Sequence, residues 1–261
     1  MIEFDAAAAR TTEAMYVTPD VVEQRRQVRS RLGLSTGATV IDIGSGPGLL
    51  AAEMAAEVGP AGKVYGIDIS ADMIAMSAAR QLPPGSAPVE FVRAGVERIP
   101  YPDGAFDAAV CTQVLEYVAD VPRALVEIRR VLRPGGRVVL LDTDWDSIVW
   151  HSSDPVRMER VLAAWAAHLF DPWLPRTLQG SLRRAGFTPE PPIVVPVLNV
   201  GYSETTYSAR AIGLIASYVP GHRGVTQAEA EAWAEDLRSM GDDYFFSLSR
   251  YLFAATRKDQ K

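Results

Sequence analysis

Two aspartates and three glycines carry the chemistry of the N-terminal half. Asp42 lies in the apolar run Val40-Ile41-Asp42-Ile43, and Asp68 ends a second run, Val64-Tyr65-Gly66-Ile67-Asp68. Between them Gly44-Ser45-Gly46-Pro47-Gly48 leads into an Ala-rich amphipathic stretch. That order predicts a buried strand, a tight turn and a helix start. Glycine permits φ > 0 and lets a ligand approach the backbone. The helix N-terminus aims its free N–H groups and positive dipole end at the same loop. An acid at the tip of the second strand accepts hydrogen bonds from a ribose diol. Charged bonds of that kind contribute ~1.5–3 kcal/mol each. These residues suit an adenosine-bearing ligand.

A second set lies later in the chain. Thr143-Asp144-Trp145-Asp146-Ser147-Ile148-Val149-Trp150-His151 follows an apolar run and combines carboxylates, two tryptophans and a histidine. It is expected to contact substrate through Trp145 and Trp150. His151 is the candidate general base, because imidazole titrates near neutrality; the alternative is a loop residue before the next helix. Thr112 and Gln113 end another apolar run and should line the same cleft. Tyr117, just beyond, is either a cleft residue or core. Cys111 reads as a small core residue rather than a nucleophile.

The elements that must position these groups follow from periodicity. Thr18-Pro19-Asp20 starts a helix over 19–32, ended by Gly33. Strands are expected at 39–43, 63–68, 89–93, 106–111, 137–142, 192–200 and 245–256. Helices are expected at 48–58, 71–80, 120–132, 155–169, 174–185, 204–218 and 226–240. Strands alternating with helices imply a parallel sheet. The last two helices sit between strands six and seven, where Thr226 and Glu229 form a capping box. This insertion is read as a lid over an acceptor pocket, with Tyr202, Tyr207, Ile212, Ile215 and Tyr218 suiting an uncharged, partly aromatic or terpenoid-like small molecule. Helices merely packed on the sheet, or a homodimer contact, remain the alternatives.

The chain has 261 residues, 48% hydrophobic, and a formal charge of −6. That supports a sizeable core and argues against nucleic acid as a main partner. One cysteine excludes an internal disulfide and a multi-cysteine metal site, and no metal is expected. No secretory segment opens the sequence and no apolar run reaches membrane-spanning length, so a cytoplasmic protein without membrane attachment is expected.

The spacing of the loop is Asp-x-Gly-x-Gly-x-Gly; a dinucleotide fingerprint would need glycine at 49, where Leu49 stands. This pattern resembles the Rossmann-like (class I) S-adenosylmethionine methyltransferases. Gly66-Ile67-Asp68-Ile69-Ser70, Ile99-Pro100-Tyr101-Pro102-Asp103-Gly104-Ala105-Phe106-Asp107 and Val131-Leu132-Arg133-Pro134-Gly135-Gly136 are similar to that family's later motifs. The subgroup resembled is the ubiquinone/menaquinone-biosynthesis-like small-molecule enzymes, over about residues 35 to 145.

The resemblance implies an α/β/α sandwich on a seven-stranded, mostly parallel sheet with an antiparallel last strand. It implies S-adenosyl-L-methionine as cofactor, held by Asp42, Gly44, Ser45, Gly46, Gly48, Asp68, Ile69, Met73, Gly95, Val96, Glu97, Thr112 and Gln113. It implies methyl transfer to an O, N or C atom of a small, largely apolar acceptor. Residues 1–34 then form a helical cover whose Tyr16, with Arg25 or Arg26, reaches the cofactor's carboxylate; 35–261 form the catalytic domain, with 203–244 as lid. The family's adenine-binding aspartate is absent: Gly95 stands there, leaving the Val96 N–H and Glu97. A cyclisation on the same cofactor-binding fold and a non-catalytic nucleotide-binding scaffold are the alternative functions.

Overall fold

The computed structural model describes residues 12–259; residues 1–11 of the expected cover lie outside them. Eight strands make one sheet. They are β1 (Thr39–Ile43), β2 (Lys63–Asp68), β3 (Val89–Arg93), β4 (Phe106–Thr112), β5 (Leu132–Trp150), β6 (Phe187–Pro189), β7 (Ile193–Val200) and β8 (Phe245–Arg257). Their order is β3-β2-β1-β4-β5-β8-β6, with β7 also paired to β8. The first five run parallel and β8 is antiparallel to its neighbours.

The expected seven strands become eight: the expected sixth, 192–200, is β7, and a short extra strand, β6, precedes it. Glu190-Pro191-Pro192 separates β6 from β7, and both pieces pair with successive lengths of β8. Proline lacks the N–H a ladder needs, so the interruption falls there.

Helices α1 (Pro19–Leu32) and α2 (Leu49–Val58) pack on one face of the sheet. Helices α4 (Val121–Val131) and α6 (Pro175–Arg184) pack on the other. Between them in sequence come α3 (Ala71–Ala78) and α5 (Pro155–Trp165). Alternation explains the three layers: Val40 enters one core, while Ile41 and Ile43 enter the other. Asp120 and Asp154 cap α4 and α5, accepting from the Arg123 and Arg157 N–H groups.

Strand β5 does not stop at 142. It runs to Trp150, with a bulge between Asp144 and Val149, and stays paired to β8 beyond the parallel sheet. The stretch expected as an open loop is therefore a ribbon. Arg176 fixes it from α6, placing two guanidinium nitrogens 2.8 Å from the Asp144 carboxylate and one 2.9 Å from Asp146. Asp144 and Asp146 are structural anchors of the bulge.

The insertion before β8 contains α7 (Tyr207–Tyr218) and α8 (Gln227–Ser239). With α5 and the ribbon they enclose a second core around Trp150, Trp165, Trp233, Tyr244 and Phe246. Asp20 in α1 accepts from the Tyr207 N–H at 2.9 Å and from the Asn199 amide, tying the N-terminal helix to the start of α7. No helix among the described residues is long and apolar enough to cross a membrane.

Candidate functional site

Strand order reverses between β1 and β4, which leaves a crevice at the C-terminal ends of the parallel strands. A cavity of about 410 Å³ occupies that place. Its lining includes Tyr16, Asp42, Gly44, Ser45, Gly46, Asp68, Ile69, Met73, Gly95, Val96, Glu97, Thr112, Gln113 and Tyr117, all expected from sequence. Arg25 lines it as well; Arg26 is exposed and paired with Glu23 instead.

The glycines divide their work. A Cβ on Gly46 would have nothing nearer than Tyr16, at 4.0 Å, so its openness faces the cavity. A Cβ on Gly44 would stand 2.1 Å from Val114, and one on Gly48 2.7 Å from the Ser77 side chain. Gly48 is absent from the cavity wall and serves the packing of α2 on α3; the expected ligand contact there is corrected. All three have φ between 50° and 77°.

Asp68 is the pivot of the loop. Its carboxylate accepts from the Gly46 N–H at 2.9 Å and the Ser70 N–H at 2.8 Å. Burial nevertheless raises its pKa. Asp42 is pushed up to about 7, by burial and then by the Asp68 charge, and one of its oxygens has no partner. Gln113 holds φ of 57°, strained for a side chain of its size, and its amide donates to the Thr143 hydroxyl at 2.7 Å. At Gly95 a Cβ would meet only Ile69, at 3.5 Å, and Gly95 has no positive φ.

A second, tighter chamber of about 40 Å³ shares Thr12, Tyr16, Gln113, Tyr117 and Arg250 with the first. Trp145, Trp150, Trp165, Tyr207 and Phe246 make it aromatic, and α7 closes it with Ala211, Leu214 and Ile215. Tyr117 meets His168 Nε2 at 3.4 Å. His168 Nδ1 faces the Trp165 carbonyl, which can only accept, so that nitrogen carries the proton and Nε2 accepts from the Tyr117 hydroxyl. Burial lowers His168 to about 4 and raises Tyr117 well above its ordinary value. Both stay neutral near pH 7.

Two expected site residues lie elsewhere. His151 is exposed at the end of the ribbon, its N–H bonded to the Phe245 carbonyl, and lines an outer groove rather than either cavity. Tyr202 packs edge-on against Tyr244 and reaches neither space.

Sequence reading missed Glu116 and Arg250. Glu116 is 1% exposed; Oε2 accepts from the Thr143 N–H and the Trp145 indole at 3.1 and 3.2 Å. Burial pushes it up to about 7. Arg250 is 2% exposed, with its guanidinium 4.4 Å from the centre of the Tyr207 ring. A signal for it existed. Phe246, Leu248, Arg250 and Leu252 share the inward face of an alternating strand, where an arginine is out of place.

Residues 41–140 match the methyltransferase domain family. The chain is 40% identical over 119 residues to the ubiquinone/menaquinone biosynthesis C-methyltransferase UbiE of Hahella chejuensis, 45% of this chain and 48% of that one. It spans about half the length of the curated relatives it matches. Among solved structures, the [4+2]-cyclase SpnF is similar at 25% identity and TM-score 0.59, over 91% of this chain and 81% of that one. Phosphoethanolamine N-methyltransferase 2 of Haemonchus contortus, solved with S-adenosyl-L-methionine, shares the fold at TM-score 0.63 and 18% identity, over 98% of this chain and 58% of that one. Residues 41–140 thus carry a methyltransferase domain, and the chain as a whole shares the fold of the class I, Rossmann-like S-adenosylmethionine-dependent methyltransferases.

Proposed function

We infer that this protein transfers a methyl group from S-adenosyl-L-methionine to an O, N or C atom of a small, largely apolar molecule. The carrying observation is the cavity at the strand switch point, framed by the open Gly46, the Asp68 carboxylate and the Gly95–Glu97 turn. The unpartnered oxygen of buried Asp42 and the strained Gln113 support the same fit. Asp68 would hold the ribose, Val96 and Glu97 the adenine, and Tyr16 with Arg25 the amino-acid end. When bound, the cofactor supplies an electrophilic methyl on a sulfonium.

The chain's own part is placement and exclusion of water. Residues 12–34 cover the cofactor and 203–244 the acceptor, with Tyr16, Gln113 and Tyr117 on the boundary. The aromatic chamber binds the acceptor through Trp145, Trp150 and Tyr207. Tyr117, kept protonated, orients an acceptor group rather than removing its proton. Where a proton must leave, Glu116 is better placed than His151.

A second reading, cyclisation on the same fold, draws on the likeness to a [4+2]-cyclase. Titration calorimetry with S-adenosylmethionine and S-adenosylhomocysteine, on wild type and Asp68→Ala, tests the cofactor. Wild type is expected to bind in the micromolar range and Asp68→Ala tenfold to hundredfold more weakly, as for loss of a charged hydrogen bond of ~1.5–3 kcal/mol. Acceptor screening by mass then separates the readings: methyl transfer adds one CH₂ and releases S-adenosylhomocysteine, whereas cyclisation conserves the substrate's mass.

A further inference from the structure

The second chamber is mostly aromatic and aliphatic, and among its few polar wall groups is one buried positive charge. Arg250 stands in the middle of β8, between Thr143 of β5 and Val195 of β7. It lines both cavities and is 2% exposed. Nη1 donates to the Gln24 side-chain carbonyl, and Tyr207 covers one face of the guanidinium. Nε has no partner, and among the described residues no carboxylate is in ion-pair contact with the group. Glu116 lines the chamber too and feels the Arg250 charge across it, but it makes no ion-pair contact with the guanidinium and its Oε2 is spent on Thr143 and Trp145.

A buried, unpaired cation is expensive, and removing its counter-charge leaves that expense uncompensated. The other buried arginine of the site is not in this condition: Arg25 is ion-paired with Glu53 at 2.9 Å and donates to the Tyr16 carbonyl. Because Nη1 is taken, the free edge of Arg250 is Nε with Nη2. These parallel donors grip a carboxylate bidentately. The surrounding tryptophans and Tyr207 offer faces to a ring.

We propose that Arg250 is the anion-recognition residue of the acceptor chamber, and that the acceptor is a ring-bearing, otherwise apolar molecule with one carboxylate. The inference rests on the methyltransferase reading for the word acceptor; the binding chemistry stands on Arg250 itself. The cofactor's carboxylate is the competing anion, since Arg250 also borders the first cavity. The acceptor side is favoured because Tyr207, which stacks on the guanidinium, lines the chamber and not the cofactor cavity. At about 40 Å³ the chamber is tight, so admitting the ligand requires α7, which closes it, to move outward.

The probes are benzoate and benzamide, equal in shape and different in charge. Each is titrated into the full chain with and without saturating S-adenosylhomocysteine, followed by calorimetry and by the fluorescence of the chamber tryptophans. Benzoate is expected to bind wild type at least tenfold tighter than benzamide. Arg250→Gln should erase that preference while S-adenosylhomocysteine affinity stays within about threefold, and Arg250→Lys should keep part of it. Equal binding of the two probes to wild type, or binding of neither, overturns the proposal, and this comparison needs no variant. Retained benzoate preference in a folded Arg250→Gln overturns it as well. Loss of S-adenosylhomocysteine binding in that variant would assign Arg250 to the cofactor and also overturn it. Failure of wild type to bind S-adenosylhomocysteine while benzoate is still preferred would count against the cofactor reading alone.

Discussion

Single side chains decide how tightly this site can hold its ligands. The family's adenine contact is missing at Gly95, yet the backbone there is ordinary and a Cβ fits beside Ile69. Gly95→Asp is therefore expected to fold normally and to strengthen S-adenosylmethionine binding about tenfold, the effect of one added charge-assisted hydrogen bond of ~1.5 kcal/mol. Calorimetry on the variant gives the answer directly; unchanged affinity would mean Glu97 already fills the role. Glu116 contributes to the pH dependence, alongside Asp42 and Asp142, whose carboxyls burial also raises. Its folded pKa of about 7 lies above the ordinary 4.5, so the folded state binds more protons than the unfolded between those values. Its contribution is full below about pH 4.5 and is lost as pH rises through 7. Glu116→Gln mimics the protonated form at every pH. Between pH 5 and 8 the stability gap should move in the variant's favour by up to about 3 kcal/mol, read from denaturant midpoints. These residues differ in how visible they were. Asp42, Asp68 and Gln113 lie at the ends of apolar runs, where local pattern locates them. Glu116 and Arg250 reach the same chamber only because β4, β5 and β8 are adjacent, and sequence spacing does not report that adjacency. His151 shows the converse: residue type pointed to a base, but strand pairing carried it to the surface.

At the scale of elements, the glycine loop is two devices in one turn. Gly48→Ala would force a Cβ to 2.7 Å from Ser77 and 3.1 Å from Phe91 at φ of 77°. Overpacking and a left-handed backbone together should cost about 2–4 kcal/mol. Gly46→Ala meets open space, so only the backbone strain of ~1–2 kcal/mol applies. Its cofactor affinity should fall the more, because the methyl projects toward the cavity. Chemical unfolding and titration on the two variants are expected to rank them in opposite orders. The central parallel strands β1 and β4 were legible because they are largely buried on both faces and read as near-continuous apolar runs. Strands β1, β2 and β3 fall where the periodicity puts them. The far half of β5 was not, since Asp142, Thr143, Asp144 and Asp146 look like a loop. Thr143, Asp144 and Asp146 find partners in Glu116, the bulge and Arg176, far along the chain, and Asp142 accepts from the Glu116 N–H through one of its two oxygens. The short β6 was hidden by the prolines that follow it.

The whole molecule is two packed regions sharing a ribbon. The sheet with its two helical layers holds the cofactor cavity, while α5, α7, α8 and the outer ends of β5, β7 and β8 enclose the second core. The acceptor chamber lies on the inner wall of that second core, through Trp150, Trp165, Tyr207 and Phe246. Opening it for an acceptor means loosening the second region while the first stays intact. Trp233 offers the test. It is fully buried, stands edge-on to Trp150 and directs its indole N–H at the Met158 sulfur, one layer behind the chamber wall and on the opposite core from the cofactor cavity. Trp233→Ala should cost about 3–5 kcal/mol of local stability. Hydrogen exchange is expected to speed up in α5, α7 and α8, while β1, β2 and β4 keep their protection. S-adenosylhomocysteine affinity should change little, because Asp68, Gly46 and Gln113 rest on the other core. Uniform loss of protection across all strands would show instead that lid and sheet unfold as one unit, and that the chamber cannot open without disturbing the cofactor.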